Sequence, residues 1–367
     1  MTEYELAEYN IGENLDQIMN IDPRGYGVCR ILYPAARKYA GGNSLSMNTA
    51  KKLHSLLVNS SSETLVYVQT GFILRPHLQP ETDGVTGALL FIRALIQAYN
   101  ITPVIIIPEK VVAAVINCAP IMGLHVYHSI EKAQKLPLSF AYKTISVNQD
   151  EADYEIEKLL LEQRPVALFS TETAGANLEG QYHNAVGVNM TEIEAKQDNL
   201  FVGLQNMGVP CFAVGDLGNE IGMGAIEQHI KQFIPFTGGI TPYASCQCGC
   251  SNGIAAATKA DYLVTATVSD WGVYAVIAAL AFLNKNIEIM HDEKMEELVL
   301  TECSRSGMVD MTGSLLPAID GFPLSFEKQI VALMRSSVDY AIHYRSETWF
   351  PATIEKGFYE TKEVYSY

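Results

Sequence analysis

Hydrophobic positions along the chain fall into two kinds of run. Short segments, apolar on both faces and rich in β-branched residues, occur at 64–70 (TLVYVQT), 103–107 (PVIII), 165–170 (PVALFS), 209–214 (VPCFAV) and 262–268 (YLVTATV). Such runs predict buried strands of a parallel sheet. Proline at or beside the start of three of them is tolerated there. Between them, helical periodicity predicts helices at 87–99, 151–163, 191–205, 221–233 and 272–284. Thr191 and Glu194 have the spacing of a capping box that would open the third. Strands alternating with helices predict an α/β fold, a doubly wound, mostly parallel sheet with helices on both faces. The stretch 291–344 predicts two helices around a Gly/Pro-rich loop at 307–323. No linker, repeat or low-complexity tract divides the chain. The expected parse is a single domain, with 1–55 as a helical extension on a core of 56–367.

The longest apolar run, 273–283 (VYAVIAALAFL), is well short of the about 20 residues a membrane span needs. It predicts a buried core helix. With 367 residues, 48% hydrophobic and 18% charged, the composition is that of a globular protein. A formal net charge of -16 argues against nucleic acid and against anionic membrane surfaces as partners. The first ten residues, MTEYELAEYN, have no apolar signal-like core. An odd number of cysteines, seven, then predicts reduced thiols and a cytoplasmic location.

Four loops share one layout, a strand leading through acidic and small residues into a helix. They are Glu81-Thr82-Asp83-Gly84, Ser170 to Gly175 (STETAG), Gly215 to Gly224 (GDLGNEIGMG) and Ser269-Asp270-Trp271-Gly272. In open α/β sheets ligands bind outside the carboxyl ends of the strands, so these loops are expected to converge on one cleft. Helix N-termini and glycine amides suit an anion. The carboxylates of Asp83, Glu172, Asp216, Glu220 and Asp270 suit an ammonium, a divalent cation or acid–base work. Together they suit a small zwitterion such as an amino acid. An acid at a helix start is often only a cap, but four glycines with Asp, Asn and Glu in ten residues exceed what a cap needs.

Two further features carry metal or proton chemistry in principle. Cys246-Gln247-Cys248-Gly249-Cys250 is spaced more tightly than ordinary zinc pairs and shows no evident fourth ligand, so it reads first as a loop of thiols, with metal or redox roles open. His183, just after the second acidic loop, can shuttle protons or simply satisfy a polar position.

At these loops the chain resembles the D-glutamate cyclase family, in its C-terminal catalytic-type domain. The matching stretches are Glu81 to Ala88 (ETDGVTGA), Glu172 with Gly175, Tyr182 and Asn184, Gly215 to Gly224, Ser269 to Tyr274 (SDWGVY), and Asp310 with Asp320-Gly321. They are collinear over roughly residues 60–345. Thr173 stands where the family has Arg, Asp270 where it has Asn, and Met311-Thr312 follow Asp310 where it has Gly-Val. The resemblance implies a lyase converting D-glutamate to 5-oxo-D-proline with loss of water. It implies Glu220 and Asp216 as acid, base or Mn²⁺/Mg²⁺ ligands, and Asp83 and Glu172 toward the ammonium or metal. Gly84, Gly218, Gly222, Gly224, Asn184, Asn219, Asp270 and Trp271 are the expected substrate-binding positions. The alternatives are a metal-dependent hydrolase or lactam-forming enzyme on another small amino acid, and a non-catalytic amino-acid-binding protein. A homo-oligomer is compatible with either.

Overall fold

The computed structural model describes residues 1–238, 248–343, 348–357 and 359. Seven strands make the central sheet: β1 (Leu65–Gly71), β2 (Thr102–Ile107), β3 (His125–Tyr127), β4 (Ser139–Thr144), β5 (Ala167–Thr173), β6 (Cys211–Gly215) and β7 (Tyr262–Thr265). Their order is β3-β4-β2-β1-β5-β6-β7, every pairing parallel. From β1 the chain lays β2 beside it, β3 at the edge and β4 between them, then returns to lay β5 on the other side of β1. The order therefore reverses between β1 and β5, and the crevice at their carboxyl ends is the topological switch point.

Helices surround this sheet: α1 (Glu3–Met19), α2 (Val28–Tyr39), α3 (Leu45–Leu57), α4 (Val85–Ala98), α5 (Val112–Ile121), α6 (Ile130–Gln134), α7 (Gln149–Glu162), α8 (Asp198–Asn206), α9 (Glu227–Phe233), α10 (Ser269–Leu283), α11 (Glu293–Arg305), α12 (Leu324–His343) and α13 (Trp349–Glu355). The apolar run at 273–283 is the core of α10, which packs against α1, α3, α4 and α12. Leu15 of α1, Leu32 of α2 and Leu53 of α3 lie in the same buried cluster as the strands and α10, so the N-terminal helices build the core rather than decorate it.

The α/β expectation holds, and three details differ. Strands β3 and β4 escape the sequence reading because they are the outer strands of one flank, partly exposed and without a continuous apolar run. The helix expected from Thr191 begins at Asp198 instead. Thr191 Oγ1 accepts the Tyr182 amide at 3.0 Å, and the Glu194 carboxylate accepts the Ile73 amide at 3.0 Å, so both capping side chains are drawn away by tertiary partners. The helix expected from Ile221 begins at Glu227, because the Gly222 and Gly224 amides turn sideways to Thr258 Oγ1 and Thr258 O, both at 2.8 Å. Cys246 and Gln247 of the cysteine run lie outside the described residues.

Candidate active site

The four acidic loops do converge at the switch point, and two of them are braced against each other. Asp83 precedes α4 and Asp270 opens α10. Asp270 Oδ1 accepts the Gly84 and Gly87 amides at 2.8 and 2.9 Å, at the start of α4. Asp83 accepts the Ser269 and Asp270 amides at 3.1 and 2.8 Å, at the start of α10, and the Gly84 amide at 2.9 Å. Each acid thus satisfies the orphan donors and the positive dipole end of the other's helix. The close approach needs glycine. A Cβ on Gly87 would sit 2.3 Å from Asp270 Oδ1, and one on Gly84, at φ +78°, would sit 2.3 Å from the Glu172 Cβ.

Glu172 is presented by a break in the sheet. Register between β1 and β5 slips after Gln69↔Ser170, so that Gly71 pairs with Thr173 and the β5 strand carries one extra residue. This is a β-bulge, which re-aims a side chain. Glu172 holds φ +40°, a left-handed conformation unfavourable for a residue with a Cβ. Strain of that kind concentrates at functional sites. Its carboxylate accepts the Ser269 hydroxyl at 2.7 Å.

The Gly215–Gly224 loop is shaped from within by Glu220. Oε1 accepts the amides of Asp216 and Leu217 at 2.9 and 2.8 Å, and Oε2 accepts that of Gly218 at 2.7 Å. The loop backbone is wrapped around one buried carboxylate, which leaves Asp216 as the less buried acid of this loop, toward Glu172. Asn219 donates to the His183 carbonyl at 2.9 Å.

Other expected ligand positions are spent internally. The amides of Gly84, Gly218, Gly222 and Gly224 all have protein acceptors. Asn184 Oδ1 accepts the Val186 and Val188 amides in its own turn. Trp271 is fully buried, donates Nε1–H to Glu327 at 2.8 Å and stacks against Phe322 and Phe326, away from the acids.

Three more residues join the acids: Glu81 and Asp320, which the sequence places in an acidic loop and a matching stretch without a role, and Arg24, which it does not single out. Asp320 sits at φ +53° and Gly321 at +81° in the turn joining Ala318–Ile319 to Phe322–Pro323. The Asp-Gly pair between short apolar segments was the signal for that hairpin. Glu81 is buried beside Asp83. Arg24, from the segment between α1 and α2, donates to Asp320 Oδ2 at 2.7 Å and to the Thr267 carbonyl at 2.8 Å, and lies over the Phe322 ring. No local pattern flags it. It supplies positive charge to this mouth, and Asp320, Asp216 and Asp83 all favour its charged form.

The result is a crowded set of carboxyls. Asp83, Asp216 and Asp320 each bring one oxygen to within 4.8 Å of the others, and so do Glu172, Asp216 and Glu220. Burial first, then mutual repulsion, raises the proton affinity of Glu81, Glu172, Asp216 and Asp270 well above the ordinary carboxylate range. Asp83 is pushed up to about 7 by burial and by Asp320, against its amide donors. An oxygen-only donor set of this kind fits a hard divalent cation such as Mn²⁺ or Mg²⁺. A surface cavity of about 1170 Å³ between α2 and α9 is lined by none of these acids.

These shifts set a pH dependence. The folded Asp83 binds its proton up to about pH 7, whereas an unfolded Asp releases it near 3.8. Native protein therefore holds more protons across that window, and stability falls as pH rises through it. The melting temperature is expected to be about 2–3 °C lower at pH 8 than at pH 5.5. Mn²⁺ should raise it more at pH 8, where the carboxyls are charged, than at pH 5.5. A melting temperature that climbs from pH 5.5 to 8 would contradict the assignment.

The chain matches the family model described as "D-glutamate cyclase-like, C-terminal" over residues 15–335. It is also similar to "D-glutamate cyclase, mitochondrial" of Homo sapiens, 25% identical over 358 residues, covering 87% of this chain and 51% of the relative. The chain thus spans about half the length of that curated relative. The relative's name carries a mitochondrial location, unlike the cytoplasmic expectation. No helix among the described residues is long and apolar enough to cross a membrane. With a family match spanning the sheet, the four acidic loops and most of α12, the chain belongs to the D-glutamate cyclase-like C-terminal family.

Proposed function

We propose that this chain is a lyase that cyclises D-glutamate to 5-oxo-D-proline, with the carboxyls at the β1/β5 switch point as its acid–base machinery. The observation that carries the reading is Glu172, a carboxyl on a strained bulge, with raised proton affinity, grouped with Asp216 and Glu220.

The reaction makes a bond from the α-nitrogen to the side-chain carboxyl carbon and breaks one carbon–oxygen bond of that γ-carboxylate. The α-ammonium gives up two protons, and the departing oxygen takes up two to leave as water. No oxidant or group donor is required. What the site must supply is a route for protons and a curled substrate. Glu172 and Asp216 have the less constrained carboxylates of the second and third loops. In this reading one takes the two ammonium protons in turn, while the other, held protonated by its surroundings, gives a proton to the leaving oxygen and is reprotonated from the first, so that both protons end on the departing water. Glu220 keeps the third loop in shape. Asp83 and Asp270 fix the two helix ends, and Asp83 faces the ammonium. A divalent cation, held by Asp83, Asp216 and Asp320 or by Glu172, Asp216 and Glu220, would when bound polarise the γ-carboxylate as a Lewis acid.

The test is incubation of the purified chain with D- or L-glutamate, with and without Mn²⁺, following amine loss and 5-oxoproline by mass spectrometry. Stereoselective loss of water from D-glutamate is expected. Absence of product from either enantiomer, with thermal stabilisation by another amino acid, would move the function to that ligand.

A further inference from the structure

Behind the carboxylates lies a second cluster of different chemistry. His183 Nε2 is 3.2 Å from Cys248 Sγ and 3.6 Å from Cys250 Sγ, and the three ligand atoms all lie within 4.8 Å of one another. The cysteines are about 65 residues further along the chain, so only the fold makes this group. We propose that His183, Cys248 and Cys250 form a binding site for a thiophilic divalent cation of the Zn²⁺ class, separate from the carboxylate site.

The spacing fits. Zn–N bonds of about 2.0 Å and Zn–S bonds of about 2.3 Å in a tetrahedron put neighbouring ligand atoms roughly 3.5–3.8 Å apart. The His183 ring is 1% exposed, and its Nδ1 has no hydrogen-bond partner among the described residues. A thiol is a weak donor and a weak acceptor, so two sulfurs alone compensate poorly for burying an imidazole. A cation on Nε2 and the thiolates gives the buried ring and both sulfurs a strong common partner. Asn177 donates Nδ2–H to Cys250 Sγ at 3.3 Å and to the Gly253 carbonyl at 2.7 Å, the outer-layer bond that holds a ligating thiolate. Glu179 fastens the next residues by accepting the Ser251 amide at 3.0 Å and an Asn252 side-chain N–H at 2.7 Å.

Donor type separates the two sites. Imidazole and thiolate select Zn²⁺, whereas the all-oxygen set selects Mg²⁺ or Mn²⁺. The clip also touches the catalytic loop, because Asn219, beside Glu220, holds the His183 carbonyl. A cation here would tie the 248–253 segment to the loop that carries Asp216.

The test uses the full chain, stripped with chelator and titrated with Zn²⁺ or Co²⁺. One Zn²⁺ per chain is expected by elemental analysis, and Co²⁺ should give thiolate-to-metal charge-transfer absorption. His183→Ala and Cys248→Ser should each weaken Zn²⁺ binding by about 100-fold or more against a chromophoric chelator. Asp216→Asn should leave it unchanged. Circular dichroism checks that each variant folds, and the exposed Cys248 gives the variant least able to disturb the core. Wild-type protein without stoichiometric Zn²⁺ or the cobalt band overturns the proposal. So does a folded His183→Ala that retains wild-type affinity.

Discussion

Glu172→Gln is expected to lower kcat for D-glutamate cyclisation about 10³-fold, with a melting temperature unchanged or raised. The loss follows from removing one of two proton-transfer groups, a role worth roughly 10²–10⁴-fold. The stability follows from burial. The Glu172 carboxyl is surrounded by Glu220, Asp83 and Glu81, which oppose its ionisation. A neutral amide of the same shape can still accept the Ser269 hydroxyl and carries no charge to bury. Glu220→Gln makes the contrast. Its carboxylate faces three amide donors, and an amide group must turn its own N–H toward one of them. A donor left facing a donor costs about 1–3 kcal/mol. Glu220→Gln should therefore lose turnover and melting temperature together. Steady-state kinetics beside calorimetry separates the two roles, and a Glu172→Gln enzyme with near-normal kcat would end the assignment of Glu172.

The second large effect is on stability. Asp270→Ala should cost about 2–4 kcal/mol, because it strands the Gly84 and Gly87 amides in a dry helix–helix contact. That corresponds to a melting temperature lower by roughly 3–5 °C in a chain of 367 residues. Asp270→Asn should cost less than half as much. Burial and the charges of Asp83, Glu296 and Glu327 favour the protonated acid, and asparagine reproduces its acceptor oxygen without a charge. If the two variants melt together, the carboxyl oxygen is not bracing α4, and the reciprocal-capping account fails.

Much of this architecture is legible along the chain because it is local. Strands β1, β2, β5, β6 and β7 each announce themselves as a short β-branched run, since burial on both faces removes polar alternation. The core of α10 was readable from its uninterrupted apolar run. The four acidic loops were readable because glycines and carboxylates are concentrated where strand passes to helix. Strands β3 and β4 were not, because partly exposed outer strands need no such run.

What the sequence by itself determined is the α/β alternation, the acidic loops and their shared end of the sheet. Only the tertiary structure decided which carboxylates are free to act. Glu220 stands in the most distinctive motif, yet three backbone amides occupy most of its acceptor positions, because a ten-residue loop with four glycines needs an internal acceptor for its own donors. The expected anion-binding helix ends are occupied by Asp83 and Asp270 from each other's loops. Arg24 reaches Asp320 across 296 residues of sequence, and His183 meets Cys248 across 65. Contacts of that range come from chain topology and burial, and no periodicity or spacing within one segment can encode them.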